Sequence, residues 1–174
     1  LTILLDLWTP TRASVANYHR AEYAISFAAT VGYMHCLDAR GSQLGISVLG
    51  HEVDEWSGVA GPFAIHPFLE CLALSQAGTA RPLNDFVNEA LSLHGSKGRC
   101  LLITTRPTQP AETLLPNGKG RRWNTGGEEL RVAYEELIQL STAARADRSQ
   151  YSMEIIEANP QVLSDVFHLA SEPE

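Results

Sequence analysis

Short strand-like runs alternate along this sequence with longer stretches whose apolar residues recur at helical spacing. The first run, Leu1 to Leu5, is almost wholly apolar and ends at Asp6, and later runs cover Gln43 to Leu49, Cys100 to Thr104 and Met153 to Ile156. Runs this short with few polar residues are typical of strands buried on both faces of a sheet. Their alternation with helical patterns predicts an α/β fold with a doubly wound, mostly parallel sheet.

One strand is expected to break the parallel pattern. Gly50 and His51 make a tight link from the second strand into Glu52 to Trp56, which is a shorter and more polar run. A two-residue link implies antiparallel pairing, and the polar content is typical of an edge strand. We therefore predict one short antiparallel strand at an edge of the sheet.

Four helices are predicted from apolar residues at helical spacing. The first is expected to turn a stripe of large side chains toward the core, with Ala24, Ala28 and Gly32 allowing a close approach to the sheet. Pro67 is expected in the first turn of the second helix, and Gly78 after its end. The apolar residues of the four helices are Tyr23, Phe27, Val31 and Met34; Ile65, Phe68, Leu69 and Leu72; Leu83, Phe86, Val87, Ala90 and Leu91; and Leu130, Tyr134, Leu137 and Ile138.

Composition excludes several classes of function. The 174 residues fit one domain, residues 1–174, and 13 Lys and Arg against 20 Asp and Glu leave a net charge of −7. A duplex nucleic acid requires a clustered basic face on its partner, so no nucleic-acid partner is expected. No apolar run reaches the roughly 18 to 20 residues of a membrane span, so no membrane contact is expected within this stretch.

Cysteine usage and the start of the chain bear on the compartment. Cys36, Cys71 and Cys100 are odd in number and lie in apolar runs, which is typical of buried free thiols. Free thiols favour a reducing compartment, so we expect a cytoplasmic protein. The chain opens without Met in a strand-like run, which we interpret as a domain cut from a longer protein. A membrane tether outside these residues is left open.

A long irregular segment, residues 106–127, interrupts the pattern of strands and helices. A loop of that length inside a compact domain is either functional or poorly ordered. Its basic patch would dock an acidic surface of a partner, because Arg and Trp are favoured interface anchors. The alternative is a solvated loop tip whose Trp folds back on the domain. The patch consists of Lys119, Arg121, Arg122 and Trp123.

Two features carry a resemblance to a known family. The order of elements, with a short antiparallel edge strand third, resembles the von Willebrand factor A domain. More narrowly, Ala21 to Ala29 followed by Gly41 to Ile46 is similar to a bacterial family of unknown function with such a domain, commonly encoded beside MoxR-type AAA+ ATPases. The match extends from Leu1 to about Arg106, and it implies a von Willebrand A-like fold.

In such domains a metal-ion-dependent adhesion site lies at the carboxyl ends of the strands. The resemblance implies Mg²⁺ held by Asp-x-Ser-x-Ser after the first strand, by a Thr before a later helix and by an Asp after the fourth strand. This chain keeps Asp6, but Trp8 and Pro10 stand at the two serine positions and offer no side-chain oxygen.

The later positions depart from the pattern as well. Arg81 falls where the Thr is expected, unless the alignment slips by two residues and supplies Thr79. Thr104 and Thr105 replace the usual Ser-Asp, so the second carboxylate is lost. One carboxylate with scattered hydroxyls is too poor a shell for Mg²⁺, and we expect neither a bound metal nor a cofactor. The alternative is a non-standard divalent site built from Asp6, Thr9, Thr79 and Thr105.

Two roles are open for Asp6. It would either form an ion pair with Arg81 that mimics the charge of the metal, or cap the following turn through backbone N–H groups. In both cases the loops of the former metal site form the candidate partner-binding face. Its members are Asp6, Trp8, Thr9, Pro10, Thr79, Arg81, Thr104 and Thr105.

No catalytic motif is complete. The stretch from Gly45 to Leu49 approaches the hydrolase elbow Gly-x-Ser-x-Gly, but Leu49 replaces the final Gly and Ser47 lies inside a predicted strand. The six histidines are dispersed without metal-ligand spacing, and each is expected to be satisfied by backbone groups.

We therefore predict a non-enzymatic domain that binds another protein through a degenerate metal-adhesion site. A MoxR-type AAA+ ATPase is the partner that the resemblance implies. Two alternatives are a metal-dependent adhesion domain with a non-standard divalent site, and a small hydrolase or nucleotide-using enzyme on the same sheet.

Overall fold

The computed structural model of the chain describes residues 1–78, 82–94, 98–107, 132–133, 135–136, 138–139 and 152–159. Within these residues the described positions between 132 and 139 are helical. The elements with complete bounds are β1 (Thr2–Asp6), α1 (Val15–Asp38), β2 (Gln43–Leu49), β3 (Val53–Val59), α2 (Pro62–Leu74), α3 (Leu83–His94), β4 (Arg99–Thr104) and β5 (Ser152–Glu157).

The strands form one five-stranded sheet in the order β3-β2-β1-β4-β5. β1 pairs in parallel with β2 and with β4, and β5 pairs in parallel with β4. β3 is antiparallel to β2 at the opposite edge, with Leu49 beside Val53 next to the turn. The mostly parallel α/β sheet and its antiparallel edge strand are confirmed, although β3 covers Val53–Val59 rather than Glu52 to Trp56.

Helices cover both faces of this sheet. α1 and α2 pack on the face that carries Ile3, Leu5 and Ile46, and α3 packs on the face that carries Leu4 and Leu102. All five side chains are fully buried, because successive strand residues point to opposite faces and both faces are covered. β1 is the central strand, so its carboxyl end is surrounded by neighbouring elements.

The core-facing side of α1 differs from the expected one. Tyr23 and Met34 are 45% and 48% exposed, so the stripe prediction is wrong for these two residues. The cause is the close packing of α2, because a Cβ atom at Gly32 would overlap the ring of Phe68. Small residues therefore fill most of the buried side, but the close approach that Gly32 allows is to α2 and not, as expected, to the sheet. This side consists of Ala21, Ala24, Phe27, Ala28, Gly32 and Cys36.

The bounds of α2 also differ from the expectation. Pro62 occupies its first turn. A backbone N–H there would have no intrahelical partner, so a proline costs the helix no hydrogen bond. Pro67 lies inside the helix, so its predicted place in the first turn is wrong. α2 ends at Leu74, ahead of Gly78, and α3 ends at His94.

The three cysteines agree with the prediction of free thiols. Cys36 and Cys100 are buried, Cys71 is partly buried, and all three are free, as predicted. No helix in the described part of the chain is both long enough and apolar enough to span a bilayer.

Candidate functional site

The carboxyl ends of β1 and β4 lie side by side near the middle of the sheet. Asp6, the last residue of β1, is in register with Thr104, the last residue of β4. Both residues are fully buried. Folds of this kind usually bind their ligands at the edge where the parallel strands end. The buried carboxylate of Asp6 therefore marks the candidate site.

Asp6 uses one carboxylate oxygen for two side-chain hydrogen bonds. Its Oδ2 accepts a hydrogen bond of 2.7 Å from Nε of Arg106 and one of 2.8 Å from Oγ1 of Thr104. Its Oδ1 is buried and has no hydrogen-bond partner among the described residues. Of the two roles predicted for Asp6, capping of the turn is wrong, and the ion pair that Asp6 forms is not the predicted one with Arg81. The partner in that ion pair is Arg106, and Arg81 lies outside the described residues.

Arg106 lies between two carboxylates. It is 3% exposed, and while its Nε donates to Asp6, its Nη1 donates to Oε2 of Glu136. The same Oε2 accepts a hydrogen bond of 3.4 Å from the backbone N–H of Leu83, the first residue of α3. Trp8 also lies against the guanidinium group, with its ring centroid 5.7 Å from Cζ of Arg106. Arg106 thus connects the ends of β1 and β4 with the start of α3.

Two carboxylates therefore share one guanidinium where little water is present. Burial raises the pKa of Asp6, and the charge of Glu136 acts in the same direction. The charge and hydrogen bond of Arg106 oppose this rise, as does the hydrogen bond from Thr104. A buried carboxylate without a countercharge would be strongly unfavourable, so Arg106 is the group that permits a charged Asp6.

The segment that follows β1 is held by neighbours on two sides. Oγ1 of Thr105 donates a hydrogen bond of 2.5 Å to the carbonyl oxygen of Trp8 and lies 3.3 Å from the carbonyl oxygen of Asp6. Trp8 forms an isolated parallel bridge with Gly78, and the N–H of Thr9 donates to the carbonyl of Gly78 at 3.0 Å. These contacts join the ends of β1 and β4 to the segment that precedes α3.

The structure brings together the described members of the predicted binding face. Asp6, Thr104 and Thr105 are linked by hydrogen bonds, Trp8 and Thr9 follow in the same segment, and Pro10 is partly exposed beside them. The other predicted residues lie outside the described part of the chain. They are Thr79, Arg81, Lys119, Arg121, Arg122 and Trp123.

Arg106 and Glu136 are the two site residues that sequence reasoning missed. Arg106 directly follows Thr104 and Thr105, at the point where the resemblance implies the second acidic ligand. A positively charged residue beside the position of a missing acidic ligand is the sequence signal that could have identified Arg106. Glu136 lies 30 residues further along the chain from Arg106, and no motif connects the two residues.

The residues around Asp6 do not fit a divalent cation in this arrangement. Mg²⁺ takes oxygen ligands in near-octahedral geometry, whereas Arg106 places a positive charge 2.7 Å from Oδ2 of Asp6. Oγ1 of Thr104 accepts a hydrogen bond of 3.0 Å from the backbone N–H of Arg106, which takes up a lone pair that a cation could otherwise use. Among the residues that the structure describes, no three His, Cys, Asp or Glu side chains are grouped so as to hold a metal ion.

A second polar cluster lies on the face that α3 covers. Oγ of Ser47 is 2.9 Å from Nε2 of His94 and donates a weaker hydrogen bond, at 3.4 Å, to Oε1 of Glu55. Gly45 makes room for the imidazole, because a Cβ atom there would lie 2.5 Å from Nδ1 of His94. Burial lowers the pKa of His94, and Glu55 and a hydrogen bond with the backbone of Ile46 oppose this change.

Ser47 lies inside β2, as predicted, and is fully buried. Its hydroxyl group is therefore out of reach of a substrate in this structure. As expected, His94 and His35 each have a hydrogen bond with the backbone, at Ile46 and at Gln43, but each also pairs with a serine side chain. Nε2 of His94 pairs with Ser47, and Nε2 of His35 pairs with Oγ of Ser42 at 2.8 Å.

Comparison with known proteins assigns no family to the chain. It matches no protein-family model and no curated protein at a significant level. Its function must be inferred from the site itself.

Proposed function

We propose that this domain binds another protein through the carboxyl-end edge of its sheet, without catalysis and without a metal ion. The buried ion pair between Asp6 and Arg106 is the observation that carries the proposal. In a metal-dependent adhesion site, a divalent cation neutralises the aspartate and holds the surrounding loops. In this domain a guanidinium group supplies positive charge from within the chain, so the loops are organised at any metal concentration.

The arrangement of the sheet supports a von Willebrand A-like interpretation of the domain. The strand order β3-β2-β1-β4-β5 and the antiparallel β3 agree with the resemblance. Asp6 ends the central strand, which is the position of the first metal ligand in that family's motif. Fold similarity alone does not determine function, so the proposal depends on the ion pair rather than on the sheet.

The contacts around the ion pair favour a surface that is organised before a partner arrives. Thr105 holds the segment at Trp8, Gly78 pairs with that segment, and Glu136 reaches the first residue of α3. A surface ordered in advance loses less conformational entropy on binding. A binding role at this edge therefore does not need a cation to order the loops.

Two features favour binding over catalysis. Asp6 is fully buried and its Oδ2 already accepts two hydrogen bonds, so it is poorly placed to take a proton from a substrate. Ser47 is fully buried beside His94, so it is poorly placed to attack a substrate. The resemblance makes a MoxR-type AAA+ ATPase the proposed partner, and the free thiols favour the cytoplasm as the place where the two meet.

The proposal is tested by capture on the immobilised domain from an extract of the native organism, with Mg²⁺·ATP and again with EDTA. We expect the same AAA+ ATPase to be retained in both buffers. Mn²⁺ binding to the isolated domain, measured by electron paramagnetic resonance, separates a metal requirement of the domain from one of the ATPase. Retention lost in EDTA together with Mn²⁺ binding by the domain would contradict metal-free binding. Absence of a specific partner in both buffers would contradict the binding role.

A further inference from the structure

We propose that Glu136 is an internal ligand of Arg106, and that an acidic side chain of the partner takes its place when the partner binds. This inference rests on the proposed function and names the chemistry that the partner brings to the site. Arg106 binds its two acids through different nitrogens, Nε for Asp6 and Nη1 for Glu136. One acid can therefore be exchanged while the other stays bound.

The charges of the cluster limit it to two acids at a time. Asp6, Arg106 and Glu136 already sum to about −1 when all three are ionised, in a place where Arg106 is almost fully buried. A third carboxylate beside them would add repulsion between like charges in surroundings of low dielectric constant. An acid from the partner can therefore bind Arg106 only if it replaces one of the two present.

Burial decides which of the two acids can be exchanged. Asp6 is fully buried in the central strand and also accepts the hydrogen bond of Thr104. The side chain of Glu136 is 23% exposed. Among the described residues of its helical segment, Ala133 is buried, but Val132 and Ile138 are exposed. Exchange at Glu136 moves a partly exposed side chain, whereas exchange at Asp6 would disrupt the end of β1.

The site that Glu136 would leave is suited to a carboxylate. Arg106 stays fixed by its bond to Asp6 and by the ring of Trp8, so Nη1 remains in place as a charge-assisted donor. The backbone N–H of Leu83 at the start of α3 is a second donor, because it now hydrogen-bonds the same oxygen of Glu136. The amino terminus of a helix also favours negative charge. Two donors that converge on one oxygen define a site for an Asp or Glu side chain.

The inference is tested with a fluorescein-labelled hexaglutamate peptide as the acidic probe, and its binding is followed by fluorescence anisotropy. Glu136→Gln is compared with Glu22→Gln, which removes the same charge from the exposed surface of α1. We expect Glu136→Gln to bind the probe about tenfold more tightly than the wild type, because Nη1 is released. We expect Glu22→Gln to bind like the wild type, and the double variant Glu136→Gln/Arg106→Gln to lose the gain.

Equal affinity of the Glu136→Gln and Glu22→Gln variants for the probe would overturn the inference, as would a gain that persists without Arg106. Glu136→Asp, whose shorter side chain withdraws the carboxylate, is the second variant should Glu136→Gln fail to fold. Glu136→Asp should also bind the probe more tightly than the wild type. Mass spectrometry after phenylglyoxal treatment gives a direct readout, because Arg106 should become more reactive in either variant. Unchanged reactivity would contradict the exchange.

The capture experiment separates this inference from the proposed function. If Glu136→Gln gains probe affinity while no protein is retained from the extract, the internal ligand stands and the proposed function fails. If the wild type retains the ATPase in both buffers and Glu136→Gln gains no probe affinity, the internal ligand fails alone.

Discussion

Two polar clusters in this domain, each built around a fully buried side chain, meet different requirements of the fold. The charged cluster, Asp6, Arg106 and Glu136, lies at the carboxyl ends of β1 and β4 and contains an ion pair of 2.7 Å. The histidine cluster, Ser47, His94 and Glu55, lies where the end of α3 packs on β2 and contains a hydrogen bond of 2.9 Å. The first balances full charges away from water, and the second satisfies polar groups beside a helix end.

The comparison shows why the charged cluster is the better candidate for function. The histidine cluster connects α3 to β2 and β3, which already pair with each other in the sheet. Gly45 leaves room for the ring of His94. The charged cluster instead connects the segments that follow β1 and β4, where the regular pairing of the strands ends and an isolated bridge joins Trp8 to Gly78. Segments of this kind carry binding functions more often than strands do.

The largest expected effect comes from removing the countercharge. Arg106→Gln leaves Asp6 buried without a cation, so we expect the free energy of unfolding to fall by about 3 to 5 kcal/mol at pH 7. Because burial raises the pKa of Asp6, the carboxyl can take up a proton on acidification. The deficit should therefore shrink as the pH falls. Urea unfolding at pH 7.5 and pH 5 measures both effects.

Arg99→Gln is the matched control for this change. Arg99 pairs with Glu154 at 3.8 Å, and both side chains are largely exposed. Exposed pairs contribute no more than about 1 kcal/mol, so the control should change stability little. A similar loss in the two variants, or a deficit in Arg106→Gln that grows on acidification, would show that the charged cluster does not depend on its countercharge.

A smaller effect is expected from crowding the histidine cluster. Gly45→Ala would place a Cβ atom 2.5 Å from Nδ1 of His94, and such overpacking costs about 1 to 3 kcal/mol. Removal of the imidazole should relieve the crowding, so Gly45→Ala should cost less in a His94→Ala background. Thermal unfolding of the two single variants and the double variant gives this coupling. Strict additivity would show that the ring does not occupy the space that Gly45 leaves.

The smallest effect is the dependence of stability on pH through His94. Burial lowers the pKa of His94 in the folded chain below its ordinary value of 6.5. The unfolded chain then binds a proton first as the pH falls, so stability is complete above pH 6.5 and declines below it. Unfolding free energies at pH 7.5 and pH 5.5 should differ less in His94→Gln than in the wild type.

His35 leaves part of this slope in place, because burial lowers the pKa of His35 as well. The double variant His35→Gln/His94→Gln should therefore have the flattest profile of the series. A slope that is identical in the wild type and in His94→Gln would mean that the imidazole is no more buried than in the unfolded chain.

The strands and the direction in which they pair were predictable, because the signals are local. A short apolar run identifies each parallel strand, and the short link after Leu49 identifies the antiparallel edge, although it has three residues rather than the predicted two. The core-facing side of α1 was harder to predict, because it depends on where α2 packs. Gly32 meets Phe68 there, and no spacing within α1 reveals that contact.

The charged cluster was only partly predictable, because its members are far apart in the chain. The resemblance identifies Asp6 as the first ligand position of a metal-adhesion motif, but Arg106 is 100 residues away. Glu136 belongs to a third segment, and only the fold brings its carboxylate to Nη1 of Arg106. Long-range pairing of this kind leaves no periodicity or spacing in a single sequence.

The most direct test asks whether Arg106 stands in for a divalent cation. Arg106→Ser removes the guanidinium and adds a hydroxyl oxygen beside Asp6 and Thr104, and thermal unfolding is then measured with and without Mn²⁺. Mn²⁺ should raise the melting temperature of Arg106→Ser, because a ligand that binds only the folded state stabilises it. It should leave unchanged the melting temperatures of the wild type and of Arg106→Ser/Asp6→Asn. An equal shift in the wild type, or no shift in Arg106→Ser, would contradict the role of Arg106 as an internal replacement for the metal.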